Sequence, residues 1–425
     1  MSTTTVTVDV HHLPRIEGHG DIRIRVRDGR LEEARWDVVE TPRFFEAILR
    51  GKHFTSAHML AARICGICSI SHGLASLRAT ERAFGVEVPP SGTALRLLAK
   101  HAETIQSHVL HLFFLAAPDF LGVDSVLPLR ESHPEVVALA LRLKGLANRA
   151  CDAVAGRTTH PVTLQAGGVT VVPSPAVLAE LRAGFDRALA NLEEAARVVR
   201  GFTVPAFRRE TEFVSLRGED SYPFIGGDIV SSDGVVRAED DYLEIANEFV
   251  DANNTSKWTR LSRESYAVGP LARVNNSFDL LHTDARRTAS ELGLEPVCHN
   301  PFMAHVARLA ECVHCAHESI RLLDGLLATP PTEAIAPVTP RVGRGVGAVE
   351  APRGILFHAF TYDAEGRIES ADAVVPTTQN NGNIHRDLAP LVAEAVEAGA
   401  SDAEIEQRCA MLVRSYDPCL SCSVH

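Results

Sequence analysis

Two parts of the chain alternate apolar and polar residues, which is the pattern of half-buried β-strands. The alternating stretches are residues 6–10, 22–26 and 36–39 near the amino terminus, and residues 355–362 and 368–375 near the carboxy terminus. Turn residues stand between neighbouring stretches, at Asp28-Gly29 and again over residues 363–366. The pattern therefore predicts a small antiparallel sheet close to each end of the chain.

Between these sheets the apolar residues recur every three or four positions, as along amphipathic helices. Residues 174–200 begin with Ser174 and Pro175, which suit a helix start, and Gly201 suits the stop. Further helices are predicted over residues 93–115, 302–327, 387–398 and 402–416. We expect residues 202–268 to be rich in loops and residues 330–353 to form a Pro/Gly-rich connection. The predicted class is α+β, mainly α, with a large helical bundle core and small antiparallel sheets.

Composition and charge narrow the class of protein. The chain has 425 residues, of which 45% are hydrophobic and 23% charged, and its formal net charge is −12. These values are typical of a soluble globular protein, and the acidic balance argues against binding to nucleic acid or to an anionic membrane. The chain has no apolar run long enough for a membrane span and no signal peptide pattern, so we expect a cytoplasmic protein.

Nine cysteines and 19 histidines bring metal chemistry into the picture. Cys65 and Cys68 form a CxxC pair, and Cys419 and Cys422 repeat that spacing at the far end of the chain. Gly66 allows the tight turn with which both thiolates of the first pair can face one ion. Structural zinc is a common fate of four cysteines, although zinc modules usually take their ligands from a compact segment. On chemistry alone, a zinc staple and a buried catalytic or redox site remain equally open.

A third pair with this spacing, Cys312 and Cys315, lies within the strongly periodic helix predicted over residues 302–327. Small buried cysteines are ordinary core residues. We therefore predict that this pair packs in the core and binds no metal. The remaining cysteines, for which no ligand role is predicted, are Cys151, Cys298 and Cys409.

The residues around the two outer pairs resemble the two metal-binding signatures of the [NiFe]-hydrogenase large subunit. Residues 63–72 read RICGICSISH, and residues 417–425 read DPCLSCSVH. Other landmarks of this family are RIEGH at residues 15–19, PRFFEAI at 42–48, EAPRG at 350–354 and VPTTQN at 375–380. The amino-acid sequences of these segments are most similar to those of the α subunit of the cytosolic, NAD(P)-linked heterotetrameric hydrogenases, also called sulfhydrogenases.

The resemblance implies a Ni–Fe centre that is held by the four outer cysteines. Cys65, Cys68, Cys419 and Cys422 would bind nickel, with Cys68 and Cys422 also bridging to an iron that carries one CO and two cyanides. Soft thiolate ligands suit a redox-active nickel. Heterolytic cleavage of H2 at this centre releases a proton that needs a base, and Cys419 matches the proton acceptor of the family.

Two charged residues take catalytic roles from the same resemblance. Arg353 matches an arginine above the open metal position, where its guanidinium can polarise bound hydrogen; the alternative is a surface salt bridge. Glu17 matches the glutamate that receives the proton from the thiolate; the alternative is a carboxylate paired with Arg15 or His19. Many relatives carry an acid where this chain has Ser107, which weakens any role of a carboxylate from that helix beside Arg353.

Polar residues around the expected centre complete the resemblance. Pro376 and Thr377 match the segment that surrounds the cyanides, which are anions that need hydrogen-bond donors in a dry cavity. His72 is expected to donate a hydrogen bond to a cysteine sulfur. For His108, the same role and that of a satisfied core histidine are equally open.

A second metal is implied beside the Ni–Fe centre. Glu46 and His425 match ligands of a divalent cation, magnesium by analogy, with a backbone carbonyl around Ala373 as the third protein ligand. A carboxylate and a carbonyl suit Mg²⁺, whereas an imidazole is a less expected ligand and leaves the identity of the cation open.

Electron transfer and assembly are expected to need other proteins. The chain has neither the four-cysteine spacing of an iron–sulfur cluster nor a G-x-G-x-x-G fingerprint after a strand. The resemblance implies that an iron–sulfur small subunit takes the electrons and that diaphorase subunits bind flavin and NAD(P). It also implies nickel-insertion factors and a maturation protease that cuts after the terminal histidine, so a chain that ends at His425 is expected to be the mature form.

We expect one large catalytic domain, since most of the chain would serve to bring the two distant cysteine pairs together. Its expected parts are an amino-terminal sheet over residues 1–50, a helical core over 51–330 with the loop-rich insert, and a hairpin with the metal-binding segment over 331–425. The alternative function is that of a non-catalytic zinc-stapled scaffold or a hydrogenase-derived subunit of a redox complex.

Overall fold

The computed structural model of the chain describes residues 5–425, so the first four residues of the predicted amino-terminal region lie outside it. The strands are β1 Val6–Val10, β2 Gly20–Arg27, β3 Arg30–Val38, β4 Leu164–Gln165, β5 Gly168–Val169, β6 Glu212–Arg217, β7 Asp228–Ser231, β8 Val236–Arg237, β9 Asn247–Phe249, β10 Trp258–Arg260, β11 Tyr266–Ala267, β12 Gly343–Ala351, β13 Gly354–Tyr362 and β14 Ile368–Val374. The helices are α1 Phe45–Leu49, α2 Phe54–Ala61, α3 Ser69–Phe84, α4 Pro90–Leu110, α5 Ala117–Phe120, α6 Val126–Ser132, α7 Pro134–Ala155, α8 Pro175–Arg200, α9 Tyr242–Ile245, α10 Pro270–Ser277, α11 Thr283–Glu291, α12 Ala304–Ala328, α13 Pro376–Glu397, α14 Asp402–Ser415 and α15 Leu420–Ser423. The predicted class, mainly helical with small antiparallel sheets, is confirmed.

Four long helices form the centre of the molecule. Helix α4 packs against α7 and α12, and α8 packs against α7 and α12. Their facing apolar side chains make the largest hydrophobic core, and this core includes all four outer cysteines. Helix α8 has the predicted limits, because the Ser174 side chain accepts a hydrogen bond from the backbone of Val177 and the helix ends at Gly201.

Both predicted sheets are present, and each has three strands. In the first, β1, β2 and β3 pair antiparallel, with Ile22 opposite Trp36 and both side chains fully buried. This sheet packs against α13 and α14. In the second, β13 pairs with β14 around the predicted turn and also with β12 on its other side. The expected hairpin is thus part of a larger sheet.

Strand β12 corrects the prediction that residues 330–353 form only a connection. Its sequence places Gly343, Gly345 and Gly347 at alternate positions, and all three face α3. A Cβ atom at Gly345 would collide with the backbone carbonyl of Ala79, and one at Gly347 with that of Ala75. The glycines therefore let the strand lie directly against the helix that follows Cys68, and their alternation is the signal that the sequence analysis missed.

Residues 202–268 also hold more regular structure than predicted, because they form the six short strands β6 to β11. Four of these strands make a sheet in the order β11-β6-β7-β8, in which β11 runs parallel to β6 and the other pairs are antiparallel. Strands of two to six residues carry too short an alternation to stand out from loop sequence.

Helix α13 is longer than predicted, since it begins at Pro376 and not near residue 387. Its first turns are polar and buried. Their side chains bind backbone groups of neighbouring strands: Gln379 donates to the carbonyl of Ile355 at 2.7 Å, and Asn380 accepts from the amide of Val268 at 2.9 Å. An apolar periodicity cannot reveal a helix that is buried by such hydrogen bonds.

Two other helical segments differ from the predictions. Helix α7 was not predicted at all, and the helix predicted over residues 93–115 ends as α4 at Leu110 and continues as a π-helix from His111 to Ala116. Wide turns of this kind occur often beside functional sites. In the described part of the chain, no helix is both long enough and apolar enough to cross a bilayer.

Candidate metal centre

The cysteines of the two outer pairs meet in the interior of the molecule. Each of the four is at most 4% exposed. The Sγ atoms of Cys65 and Cys419 are 3.7 Å apart, and those of Cys65, Cys68 and Cys422 all lie within 4.8 Å of one another. The fold therefore gathers the four sulfurs that the sequence analysis singled out.

The first pair lies on the turn between a short 3-10 helix, Ala62–Ile64, and helix α3. The backbone amides of Ile67 and Cys68 donate hydrogen bonds to the Cys65 sulfur at 3.3 and 3.2 Å. A hydrogen bond from the Cys68 thiol, helped by the nearby Arg353 and by these amides, lowers the pKa of Cys65 in spite of its burial. The turn thus favours the thiolate of Cys65, the form that binds a metal, whereas the hydrogen bond to Cys65 and burial raise the pKa of Cys68.

The second pair follows α14, which ends where Pro418 prevents its continuation. The backbone amide of Cys419 donates to the hydroxyl of Thr377 at 2.9 Å. The sulfurs of Cys419 and Cys422 are in direct contact, as in a disulfide. A metal bound by both of them requires two separate thiolates, so the predicted four-thiolate site belongs to the reduced pair.

Arg353 lies in this interior region and is only 3% exposed, which contradicts the alternative of a surface salt bridge. Its Nε donates to the backbone carbonyl of Asp417 at 2.7 Å, and its Nη2 donates to the Asp417 carboxylate at 3.1 Å. Burial alone would favour the neutral form, but the Asp417 carboxylate outweighs it and raises the pKa of Arg353 above its usual value. Nη1 is a buried donor with no acceptor among residues 5–425.

Asp417 is a site residue to which the sequence analysis gave no role, although it stands in the quoted DPC motif. Besides Arg353, its carboxylate lies 3.1 Å from Nδ1 of His111 in the π-helix. Burial would raise the pKa of Asp417, but Arg353 and His111 hold it below the usual range. The carboxylate therefore keeps its charge and fixes the guanidinium of Arg353.

Glu17 lies beside the second cysteine pair. Its backbone carbonyl accepts from the amide of Leu420 at 2.9 Å, and its carboxylate accepts from the amide of Ser421 at 3.1 Å and from the Ser421 hydroxyl. The alternative pairing is wrong, because Arg15 binds Asp119 and His19 binds Glu40. The Glu17 carboxylate is half-buried and contacts the loop that carries Cys419 and Cys422.

The structure corrects the partner expected for His72. This histidine is buried, and its Nδ1 lies 3.1 Å from Nε2 of His358. Within the described chain it forms no hydrogen bond to a cysteine sulfur. His108 is a buried core histidine whose Nε2 lies 2.8 Å from the buried carboxylate of Glu311, while its Nδ1 has no partner in the described chain. The partner of His72 lies on β13 and that of His108 on α12, and neither pairing could be predicted from residue spacing.

Pro376 and Thr377 form the start of α13, at the edge of the same interior region. The Thr377 hydroxyl accepts from the Cys419 amide, so its own hydrogen remains available to donate. Pro376 occupies the first helical position, where a missing amide hydrogen costs nothing. Thr377 thereby holds the second cysteine pair against this helix.

The three residues predicted to bind a second metal are neighbours. Nε2 of His425 lies 2.7 Å from the carbonyl oxygen of Ala373 and 3.7 Å from the carboxylate of Glu46. The amide of Ala373 donates to that same carboxylate at 3.2 Å. Burial disfavours the charged form of both residues, but their hydrogen bond and opposite charges have the larger effect. The pKa of Glu46 is therefore lowered and that of His425 is raised.

The third cysteine pair takes no part in this arrangement. Cys312 and Cys315 are fully buried in the apolar core around α12, and burial raises the pKa of both thiols. The predicted packing role of this pair is confirmed. Cys151 and Cys409 are also buried among apolar side chains, and Cys298 is half-buried.

The donor set of the interior site suits a nickel–iron centre. Four sulfurs are surrounded by apolar side chains, and one buried guanidinium donor, Nη1 of Arg353, is free beside them.

Comparison with known proteins supports the same kind of metal centre. The sequence pattern of the family described as "Nickel-dependent hydrogenase" matches residues 43–139 and 238–425. The chain belongs to this family. The predicted resemblance is thereby confirmed, and the hydrogenase is an oxidoreductase of the [NiFe] large-subunit type.

Individual relatives of this hydrogenase cover nearly its whole length. The chain is 31% identical to "Sulfhydrogenase 1 subunit alpha" of Pyrococcus furiosus, over 100% of this chain and 99% of that protein. It is 30% identical to "NAD-reducing hydrogenase HoxS subunit beta" of Cupriavidus necator, over 97% and 93% respectively. A solved structure of an NAD+-reducing [NiFe]-hydrogenase in the H2-reduced state matches 99% of both chains, with a TM-score of 0.90 and 29% identity.

Proposed function

We propose that the hydrogenase binds a Ni–Fe(CN)2CO centre through Cys65, Cys68, Cys419 and Cys422 and catalyses the reversible heterolytic cleavage of H2. The convergence of these four buried sulfurs carries the proposal. When bound, the centre would supply the position at which H2 is cleaved, and each H2 oxidised there yields two protons and two electrons. The protein would hold the metals, exclude water and conduct the proton.

The proton route would begin at the Cys419 thiolate and continue to Glu17. The Glu17 carboxylate contacts the Ser421 hydroxyl, between the two cysteines of the pair, and its backbone pairs with that of Cys419. A half-buried carboxylate at this point can take up a proton from the interior and pass it toward solvent. Its position, and not its sequence neighbours alone, supports this role.

Arg353 would act as the electrostatic partner of the reaction. Asp417 fixes the guanidinium through Nε and Nη2, which leaves Nη1 as a donor in a buried, low-dielectric region. A fixed donor in such a region interacts strongly with bound ligands because no water competes for it. Pro376 and Thr377, at the start of α13, would form the polar edge around the cyanides.

A divalent cation, Mg²⁺ by analogy, would be held by Glu46, His425 and the carbonyl of Ala373. The three groups are near one another and one of them is a carboxylate. The imidazole is less typical of magnesium than of a transition metal. Metal analysis of the protein under Mg²⁺-rich and Mg²⁺-free conditions tests this assignment.

Electrons would leave through an iron–sulfur small subunit, and then through flavin to NAD(P) on diaphorase subunits. Among the described residues, the group of Cys65, Cys68 and Cys422 is the only possible metal site with three cysteines. The iron–sulfur clusters and flavin would therefore be bound by partner subunits. One relative is named a NAD-reducing hydrogenase and another a sulfhydrogenase α subunit. Assembly would further need nickel-insertion factors and a maturation protease.

Metal analysis of the complex, purified without oxygen, tests the function. We expect one nickel per copy of this chain, iron in excess of nickel because the partner subunit carries iron–sulfur clusters, and infrared bands of metal-bound CO and cyanide. Zinc as the sole metal, without such bands, would overturn the proposal and support the alternative of a zinc-stapled scaffold. Iron and nickel with no H2-dependent reduction of any acceptor would favour a non-catalytic redox-complex subunit.

A further inference from the structure

Helix α3 begins directly after Cys68, which puts a metal-ligand cysteine at the position that normally caps a helix. The first amides of a helix lack acceptors within it, and a side chain at the cap position usually supplies one. The Cys68 side chain forms no such hydrogen bond. Helix α3 therefore needs an acceptor from elsewhere in the molecule if the sulfur is to stay available for a metal.

Glu103, on the neighbouring helix α4, is that acceptor. One carboxylate oxygen accepts from the amides of Ile70 and Ser71 at 2.8 and 3.1 Å, and the other accepts from the Ser71 amide at 3.1 Å and from the Ser71 hydroxyl. Negative charge at a helix amino terminus is also favoured by the helix dipole. The carboxylate thus binds the backbone within three residues of Cys68.

The charge of Glu103 is held at a cost. Glu103 and its partner Lys100 are both 0% exposed, and Lys100 Nζ lies 3.4 Å from the carboxylate and 2.8 Å from the Thr104 hydroxyl. The desolvation of such a buried pair commonly cancels its attraction, so that an apolar pair of equal volume is no less stable. Stability alone therefore does not explain a fully buried Lys–Glu pair at this place.

We propose that Glu103 is a positioning residue for Cys68, an inference that rests on the proposed function. By capping α3 from a neighbouring helix, Glu103 fixes the turn that carries Cys68 and leaves its sulfur free to bind metal. Its negative charge, which lies against the amides of Ile70 and Ser71 in the turn after Cys68, would also disfavour the addition of electrons at the bound centre. Helix α4 has no acid at Ser107, but it carries Glu103 one turn earlier. The Glu103 carboxylate contacts the turn after Cys68 and not Arg353.

Two substitutions separate the cap from the charge. E103Q keeps an oxygen that can accept from the Ile70 amide but removes the charge, and E103A removes both. We expect E103Q to retain nickel and iron at the wild-type ratio, with the CO band at higher wavenumber and a higher midpoint potential of the centre. We expect E103A to lose most of its nickel and of the CO and cyanide bands while its circular dichroism stays that of a folded chain.

The matched control is Q106A, since Gln106 is another buried polar residue of α4 and binds only Lys144 among the described side chains. Its metal content, CO band and potential should equal those of the wild type. E103A with full metal content, or E103Q with an unchanged band and potential, would overturn the inference. Should E103A fail to fold, E103Q alone decides. If the wild-type complex itself lacks nickel and iron, the proposed function fails first and the inference falls with it.

Discussion

The outer cysteine pairs and the Cys312/Cys315 pair share one spacing and have opposite fates. Three outer cysteines lie outside the helices, Cys65 and Cys68 before α3 and Cys419 before α15, and Cys422 lies in the four-residue helix α15. The sulfurs of Cys65 and Cys419 are 3.7 Å apart. The inner pair lies in the middle of α12, where both thiols are enclosed by apolar side chains. The motif CxxC is therefore not sufficient to predict a ligand.

The backbone explains the difference between the two kinds of pair. On the turn at Cys65, two amides are free to donate to sulfur, which favours the thiolate. Within α12 the amides are used by the helix, so no backbone donor offsets the burial that raises the pKa of Cys312 and Cys315. The turn at Cys65, in contrast, leaves two amides that donate to its sulfur.

The largest effect is expected from removal of one outer sulfur. C422S should abolish assembly of the nickel–iron centre, because the hydroxyl is a poor ligand for soft metals and two metals share this sulfur in the proposed site. Nickel per chain, measured by mass spectrometry, should fall to background, and the infrared bands of CO and cyanide should disappear. A variant with wild-type nickel content would show that Cys422 is not a metal ligand and that the outer and inner pairs do not differ in metal binding.

A smaller loss is expected beside the outer pairs, at Glu17. E17Q keeps the hydrogen-bonding shape of the side chain but cannot carry a proton, so the metals should stay while proton exchange slows by about 100-fold. The measurement is H2/D+ exchange by the purified complex, together with metal content. Unchanged exchange would remove Glu17 from the proton route and leave the sulfurs without a carboxylate relay there.

The stability of the protein is expected to depend on pH through His314, which lies between Cys312 and Cys315 in the inner pair. Burial lowers the pKa of His314 from 6.5 to about 4. Between these values the unfolded chain binds a proton that the folded chain does not, so stability falls as the pH is lowered, by about 2 kcal/mol from pH 7 to pH 5.

The variant H314N should reduce this acid sensitivity, because asparagine takes up no proton in this pH range. Its side-chain oxygen can still accept from the His282 amide, which in the wild type donates to His314 at 3.0 Å. Urea unfolding at pH 7 and at pH 5 measures the difference in the free energy of unfolding between the two conditions. An acid dependence equal to that of the wild type would mean that His314 is not held neutral by the fold.

The smallest effect is expected from C312A. The substitution removes one buried sulfur and should cost about 1 kcal/mol of stability without loss of nickel or of H2 turnover. Thermal unfolding and metal content measure the two quantities. Loss of nickel in C312A would mean that the inner pair is a ligand pair after all, and the contrast with C422S would disappear.

The sequence predicted most of the fold where the hydrophobic pattern is regular. Helix α8 and both outer sheets follow their predicted limits closely, because a single buried face produces a clear period. The pattern failed for the polar start of α13 and for the glycine-rich strand β12, both of which are buried through backbone contacts and not through large apolar side chains.

At the site, the family signatures identified the four cysteines and the residues around them, but not the hydrogen-bond and ion-pair partners of these residues. The pairing of Arg353 with Asp417, of His72 with His358 and of Glu17 with Ser421 joins residues from distant parts of the chain. No periodicity or spacing in a single sequence carries that information. The role of Asp417 was missed for this reason, although the residue stands next to the second pair.

The sequence by itself determined the kind of chemistry, because soft thiolates at two CxxC turns and their flanking signatures belong to one family. Only the tertiary structure decided which sulfurs meet, which buried charges face them, and that Glu103 on α4 caps the helix after Cys68. The reason is physical: ligand type is a local property of residues, whereas distance and burial depend on how helices far apart in the chain pack together.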